Sequence, residues 1–183
     1  MGNVFLVYAS MTGNTEMIAS IIHDQLKHIG ITVRMRSFDE GFLEPEEFLD
    51  YDGILFGTYT YEDGDLPYEV EDFYEEMEGL DLTGKSVGVF GSGDTFYQTF
   101  GNAVDTMAER FKELGAEVLE ERLKVDLDPD DEDEQRCLIF VNAFQSLISK
   151  RSHAVSEQNK GARIVTGSVW GEKNANDSGN IHR

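Results

Sequence analysis

The chain has 183 residues, enough for one domain with a sizeable core. Thirty-six Asp plus Glu stand against 15 Lys plus Arg, a formal charge of -21 at pH 7 that repels nucleic acid and anionic lipid and attracts basic protein surfaces. The single cysteine, Cys137, excludes an internal disulfide, and no Cys/His spacing suits zinc, which fits a reducing, cytoplasmic setting.

Asn3 to Tyr8 is a short continuous apolar run, the pattern of a strand covered on both faces in a parallel sheet. It is too short to span a membrane and lacks a basic flank, so no secretion or anchoring signal is expected. After Asn14 or Thr15, the residues Ile18, Ile21, Ile22, Leu26 and Ile29 recur at helical spacing, and Gly30 sits where that helix would stop. Thr32 to Ser37 alternates Val33 and Met35 with Arg34 and Arg36, as an edge strand should. Pro45 opens a brief helix. Gly53 to Thr58 and Ser86 to Gly91 repeat the buried-strand pattern, with a helix over Tyr68 to Met77 between them.

Asn102 to Leu114 predicts a fourth helix, with an apolar stripe of Val104, Met107, Ala108, Phe111 and Leu114 before Gly115. A fifth strand is expected over about Glu117 to Val125. The last helix, about 134–150, buries Leu138, Val141, Phe144, Leu147 and Ile148. Five strands alternating with five helices predict an α/β fold, a doubly wound sheet in three layers. Beyond Lys150 the composition turns to Gly, Asn, Ser and His, so residues 151–183 read as a poorly ordered appended tail. That tail carries five basic and three acidic residues, which leaves -23 on residues 1–150.

The acidic run DLDPDDEDE (126–134) fails as a calcium loop, because Asp131 stands at the glycine place and Cys137 at that of the bidentate Glu. It reads as a solvated helix entry. Cys137 itself reads as a small buried hydrophobe, and the four histidines as surface residues without ligand or triad spacing.

Three strand-to-helix loops fall at one edge of such a sheet, where ligands bind. The first, SMTGNT (Ser10, Met11, Thr12, Gly13, Asn14, Thr15), leads into a helix N-terminus with free N–H groups, hydroxyls and an amide, a nest for phosphate. It lacks the GK[ST] ending of a nucleotide P-loop and the GxGxxG of a dinucleotide site. The second, TYTYEDGDLP (58–67), and the third, GSGDTFYQTF (91–100), place Tyr59, Tyr61, Phe96, Tyr97 and Phe100 on exposed connections, where rings stack on a ligand. A monophosphate site beside aromatic loops fits a planar ring joined to one phosphate, the shape of flavin mononucleotide (FMN).

On LVYASMTGNTEMIASII, GTYTYEDGDLPYE and FGSGDTFYQTFGNAVD, residues 3–150 resemble the flavodoxin family, specifically its short-chain Gram-positive members. Tyr8, Ser10, Gly13, Thr15, Ala19 and Ile22 occupy the places of the family's phosphate signature. The resemblance implies a five-stranded parallel sheet in the order 2-1-3-4-5 and a low-potential one-electron carrier with non-covalent FMN. It implies a monomer served by a basic-surfaced, NADPH-dependent flavodoxin/ferredoxin reductase and redox acceptor enzymes. Ser10 to Thr15 would hold the phosphate and Tyr61 would stand on the inner face of the flavin, with Thr58, Tyr59, Thr60, Glu62 and Asp63 of the same loop as further cofactor-binding candidates, Tyr59 reading more readily as a loop packing residue. Tyr97 would stack on the outer face, while Ser92, Gly93, Asp94 and Gly101 would offer backbone contacts to the ring edge, and Phe100 is a further cofactor-binding candidate.

Two departures from the family stand out. Tyr61 occupies a place where many relatives have Trp, and Glu62 one where several have Gly; a side chain at positive φ costs about 1 kcal/mol there, which implies modest stabilisation of the semiquinone. Two other readings share the fold. An FMN-dependent NAD(P)H:quinone or azo-compound reductase would need a basic nicotinamide site that is not evident, and a phosphoacceptor receiver would need an acidic pair where Ala9 and Ser10 stand.

Overall fold

The computed structural model describes the backbone of residues 2–166 and the side chains of residues 2–151. The chain divides into two compact units, Met1–Lys150 and Arg151–Arg183, and the sheet lies in the first. The elements run β1 (Asn3–Tyr8), α1 (Asn14–His28), β2 (Thr32–Ser37), β3 (Gly53–Tyr59), α2 (Tyr68–Glu76), β4 (Ser86–Gly93), α3 (Asn102–Glu113), β5 (Glu117–Val118), β6 (Leu123–Asp126) and α4 (Asp131–Thr166). All strand pairs are parallel, in the order β2-β1-β3-β4-β5, with β6 also on β4. This is the doubly wound order, with the reversal between β1 and β3.

Three expectations are corrected in detail. The fifth strand is broken: β5 pairs with Ser86 and Val87, β6 pairs with Phe90 to Gly93, and residues 120–122 leave the ladder between them, after Leu119 gives its N–H to the Val87 carbonyl at 2.7 Å. The exposed Glu120 carboxylate there reaches Lys112, and Arg122 binds Asp105 at 2.9 Å and also Glu109, so this stretch is tied to α3 by paired charges. The brief helix that Pro45 opens is present, with 3-10 geometry, over Pro45–Asp50. Ser92 and Gly93, assigned from composition to a loop, are the last residues of β4. The last helix starts at Asp131 and continues to Thr166, past the expected end at Lys150. The expectations for residues 167–183 lie outside the described residues.

The acidic run does enter this helix. Asp130 accepts the N–H groups of Glu132 and Asp133 at 2.9 and 3.0 Å, supplying partners that the first turn cannot find within the helix.

Period-2 alternation in β1 sends side chains to opposite faces of the sheet. Phe5 and Val7 join Phe48, Phe56, Phe73 and Phe111 under α2 and α3, while Val4 and Leu6 join Ile18, Ile22, Leu26, Phe140 and Phe144 under α1 and α4. Cys137 is fully buried in the second cluster, and burial pushes its thiol up to about 11, so it stays protonated and inert at neutral pH. On edge strand β2, Arg34 and Arg36 both pair with Glu47, at 3.1 and 2.9 Å, and Arg34 also covers the Phe5 ring. With both faces covered, the open ends of β1, β3 and β4 are where the central loops emerge.

Candidate functional site

Those loops meet around a cleft of about 250 Å³. The first loop is shaped by Gly13, which adopts φ 94 as the residue before α1; a Cβ there would meet nothing within 4 Å, so the peptide faces open space. Only glycine enters this left-handed region without steric cost. The first bond inside α1 runs from Met17 N–H to the Gly13 carbonyl at 2.9 Å, which leaves the earlier amides at the positive end of the helix dipole. Glu16 N–H is taken by Ser10 Oγ at 3.3 Å. Thr15 is fully buried, its hydroxyl bonded to Ser92 Oγ at 2.8 Å, so it ties this loop to the end of β4.

The second loop is a tight turn. Tyr61 N–H donates to the Asp65 carbonyl at 3.0 Å, and the Gly64 and Asp65 amides return to the Tyr61 carbonyl at 3.0 and 2.9 Å. Glu62 sits at φ 40 within it, the left-handed conformation disfavoured for a side chain. The Tyr61 ring lies 5.7 Å from that of Tyr68, and the Glu62 carboxylate pushes the Tyr61 hydroxyl pKa upward.

Tyr59 lines the cleft but also packs on the core, and its hydroxyl meets Glu69 Oε1 at 3.3 Å. Burial first, then Glu69, pushes its pKa up to about 12. A raised phenol pKa contributes stability below the unfolded value near 10, and that stability is lost as pH rises from 10 towards 12. Urea titrations should therefore show the fold weakening across that window, and Tyr59→Phe should flatten the slope; an unchanged slope would remove Tyr59 from the effect.

In the third loop, Asp94 Oδ1 accepts Phe96 N–H at 2.8 Å and its carbonyl accepts Tyr97 N–H at 3.1 Å. Thr95 anchors this turn to Asp126 through N–H at 3.0 Å and Oγ1 at 2.7 Å, and those bonds hold the Asp126 pKa below the usual range. Tyr97 is half exposed, with Phe96 edge-on to it at 5.5 Å.

Met11, Thr12, Asn14, Tyr59, Thr60, Tyr61, Glu62, Ser92, Gly93, Asp94, Tyr97 and Phe100 line the cleft. Ser10, Gly13, Thr15 and Asp63 lie in the same loops but not on its wall. Thr58 is buried within β3, its hydroxyl donated to the Tyr59 carbonyl at 3.0 Å. Gly101 is the left-handed cap of α3 beneath the Lys124 stem, where a Cβ would fall 2.5 Å from Lys124 Cδ. Neither reaches the cleft wall.

The wall also includes Thr99 and Leu127, which the sequence reading missed. Leu127 stands at φ 57 with its N–H on the Gly93 carbonyl at 2.8 Å and its side chain exposed. A lone Leu inside an acidic run was the available signal.

An anion cradle built from amides and hydroxyls, continuous with a slot walled by aromatic rings, can take a phosphate at one end and a flat ring at the other. Thr60 Oγ1 is buried on this wall without a hydrogen-bond partner, a polar atom left for a ligand to satisfy. No Lys or Arg lines the cleft, and among the described residues Glu62, Asp63, Asp65 and Asp94 form no ion pair. Among the described residues, too, no helix is long and apolar enough to cross a membrane, and no group of three His, Cys, Asp or Glu could hold a metal ion.

Fold and site together define a mononucleotide-binding protein of the doubly wound α/β class. The family model described as flavodoxin matches residues 6–140. The probable flavodoxin 2 of Bacillus subtilis (strain 168) is 41% identical over 145 residues, covering 79% of this chain and 95% of the relative. Oxidised flavodoxin 2 from Bacillus cereus superposes with a TM-score of 0.75 at 46% identity, over 79% of this chain and 98% of that one. The flavodoxin of Streptococcus pneumoniae TIGR4 gives a TM-score of 0.75 at 43% identity, over 79% and 98% respectively. The chain belongs to the flavodoxin family.

Proposed function

We propose that this protein is a low-potential one-electron carrier that holds FMN without a covalent bond. In this reading it works in the cytoplasm as a monomer, moving electrons from a basic-surfaced, NADPH-dependent reductase to acceptor enzymes. The observation that carries it is the continuity of the cradle at the start of α1 with the slot between the second and third loops. Ser10 to Thr15 would hold the phosphate, Tyr61 and Tyr97 would flank the ring, and Thr60 with the Ser92 to Asp94 backbone would meet its polar edge.

When bound, FMN supplies the redox chemistry, and the chain decides how comfortable each added electron is. Glu62 and Asp94 line the slot, and Asp63 and Asp65 lie in the same turn as Glu62. Each carboxylate at roughly 10 Å disfavours a further negative charge by about 0.4–1.7 kcal/mol for effective dielectrics between 80 and 20. That is about 20–70 mV for one electron, so several together make a strong reductant.

Glu62→Gln is therefore expected to raise the potential of the second electron by about 20–70 mV at low salt. Glu62→Gly should do the same and also relieve the left-handed backbone, stabilising the fold by about 1 kcal/mol. Spectroelectrochemical titration reads the first effect and urea unfolding the second. A potential that stays put in both variants would remove this carboxylate from the account.

The functional reading itself is tested by adding FMN to the purified protein, reducing it, and following electron transfer to and from a basic reductase as salt is raised. A yellow, reducible complex whose transfer slows with ionic strength is expected, because steering between opposite charges is screened. A protein that ignores FMN, or one that consumes NADPH unaided, would overturn it.

A further inference from the structure

The second and third loops are joined behind the cleft as well as across it. Asn102, the first residue of α3, donates Nδ2–H to the Gly64 carbonyl at 2.8 Å in a part-buried position. Gly64 is seated directly on Thr99: it holds φ 109, and a Cβ there would fall 2.7 Å from Thr99 Cβ. Asn102 is itself fixed, its N–H on the Thr99 carbonyl at 3.0 Å and its carbonyl accepting Thr106 Oγ1 at 3.1 Å. One amide thus grips the turn that carries Tyr61 and Glu62, from the helix that the third loop enters.

We propose that Asn102, with Thr99 and Gly64, forms a clasp that sets the width of the flavin cleft before the cofactor enters, with Asn102 as its positioning residue. The turn needs such a hold. Glu62 and Gly64 both stand at positive φ, and a non-glycine residue stays in that region only where its surroundings over-determine it. Freed from Asn102, the turn can relax, and the Tyr61 wall then has to be ordered at the expense of binding. The inference rests on the FMN reading above.

Apoprotein of the parent, Asn102→Asp and Asn102→Gln tests it. Asp keeps the size, loses the donor and turns a negative oxygen on the Gly64 carbonyl. Gln can still donate, because Asn102 borders a separate cavity of about 280 Å³ with room for one more methylene. FMN quenching titrations should show the dissociation constant rising about tenfold in the Asp variant and staying within about threefold in the Gln variant. Amide exchange in the flavin-free protein should quicken at Gly64 and Asp65 in the Asp variant alone, with the β1 and β3 amides unmoved.

An Asp variant that binds FMN as the parent does, or exchange that quickens evenly across the sheet, overturns the clasp and makes Asn102 a general stabiliser. A parent that ignores FMN overturns the functional reading and this inference with it. That outcome is recognisable because the local exchange contrast would persist.

Discussion

Apoprotein titrated with riboflavin is expected to bind at least about 10³-fold more weakly than with FMN. The difference is the phosphate alone. It would lie against the amides ahead of Glu16 in the hydroxyl-rich Ser10–Thr15 loop, at the positive end of the α1 dipole. Hydrogen bonds to a charged group contribute about 1.5–3 kcal/mol each, so two of them already amount to roughly the 4 kcal/mol that 10³ requires. The protein's net charge of -21 works against this, but over a longer range. Salt with a Debye length of about 8 Å screens that distant repulsion more than it does the close contacts, so FMN affinity should hold or rise as salt is added. Fluorescence titrations with both ligands check the claim, and equal affinities would mean that the first loop is an ordinary helix cap.

Gly91→Ala should be the most damaging single-methyl change in the sheet. A Cβ there would stand 1.9 Å from the Thr58 carbonyl oxygen and 2.7 Å from Val104 Cγ2. The first obstacle is backbone, and Thr58 and Gly91 are register partners in the central β3–β4 pair, so neither strand can shift without breaking the ladder. Overpacking of this kind costs about 3 kcal/mol or more, against a total stability of about 5–15 kcal/mol. Gly79 is the control. It also stands at positive φ, at 82, but nothing lies within 4 Å of its Cβ position, so Gly79→Ala should cost only about 1 kcal/mol. Urea midpoints of the two variants decide the matter, and comparable midpoints would show that the strands give way more easily than the packing suggests.

What the sequence revealed follows from how local each signal is. The apolar runs of β1, β3 and β4 and the stripes of α1 and α3 report burial directly, so the doubly wound class and the position of the loops were legible, while the strand order came with the family resemblance. Ser92 and Gly93 were not legible as strand, since small flexible residues carry no propensity for it. Their pairing with Tyr59 on one side and with Val125 and Asp126 on the other decides the matter. The break between β5 and β6, where Arg122 meets Asp105 and Glu109 of α3, is displayed by no pattern within residues 117–125. Within the cleft, the aromatic and hydroxyl residues could be picked out by type. Thr99, Leu127 and the inward turn of Thr58 could not, because each depends on how neighbouring backbone is aimed.

The exposed side chains of Met11, Tyr97 and Leu127 at the cleft, with Phe96 edge-on to Tyr97, leave a small greasy tip on an otherwise anionic molecule. Under the reading proposed here, a cationic visitor is drawn in by the surrounding carboxylates yet lands on hydrocarbon that offers it little to grip. Arrival is hurried and departure is not hindered, so the visit is brief. A courier that must be emptied and refilled by different hosts is better served by such fleeting handshakes than by a tight embrace.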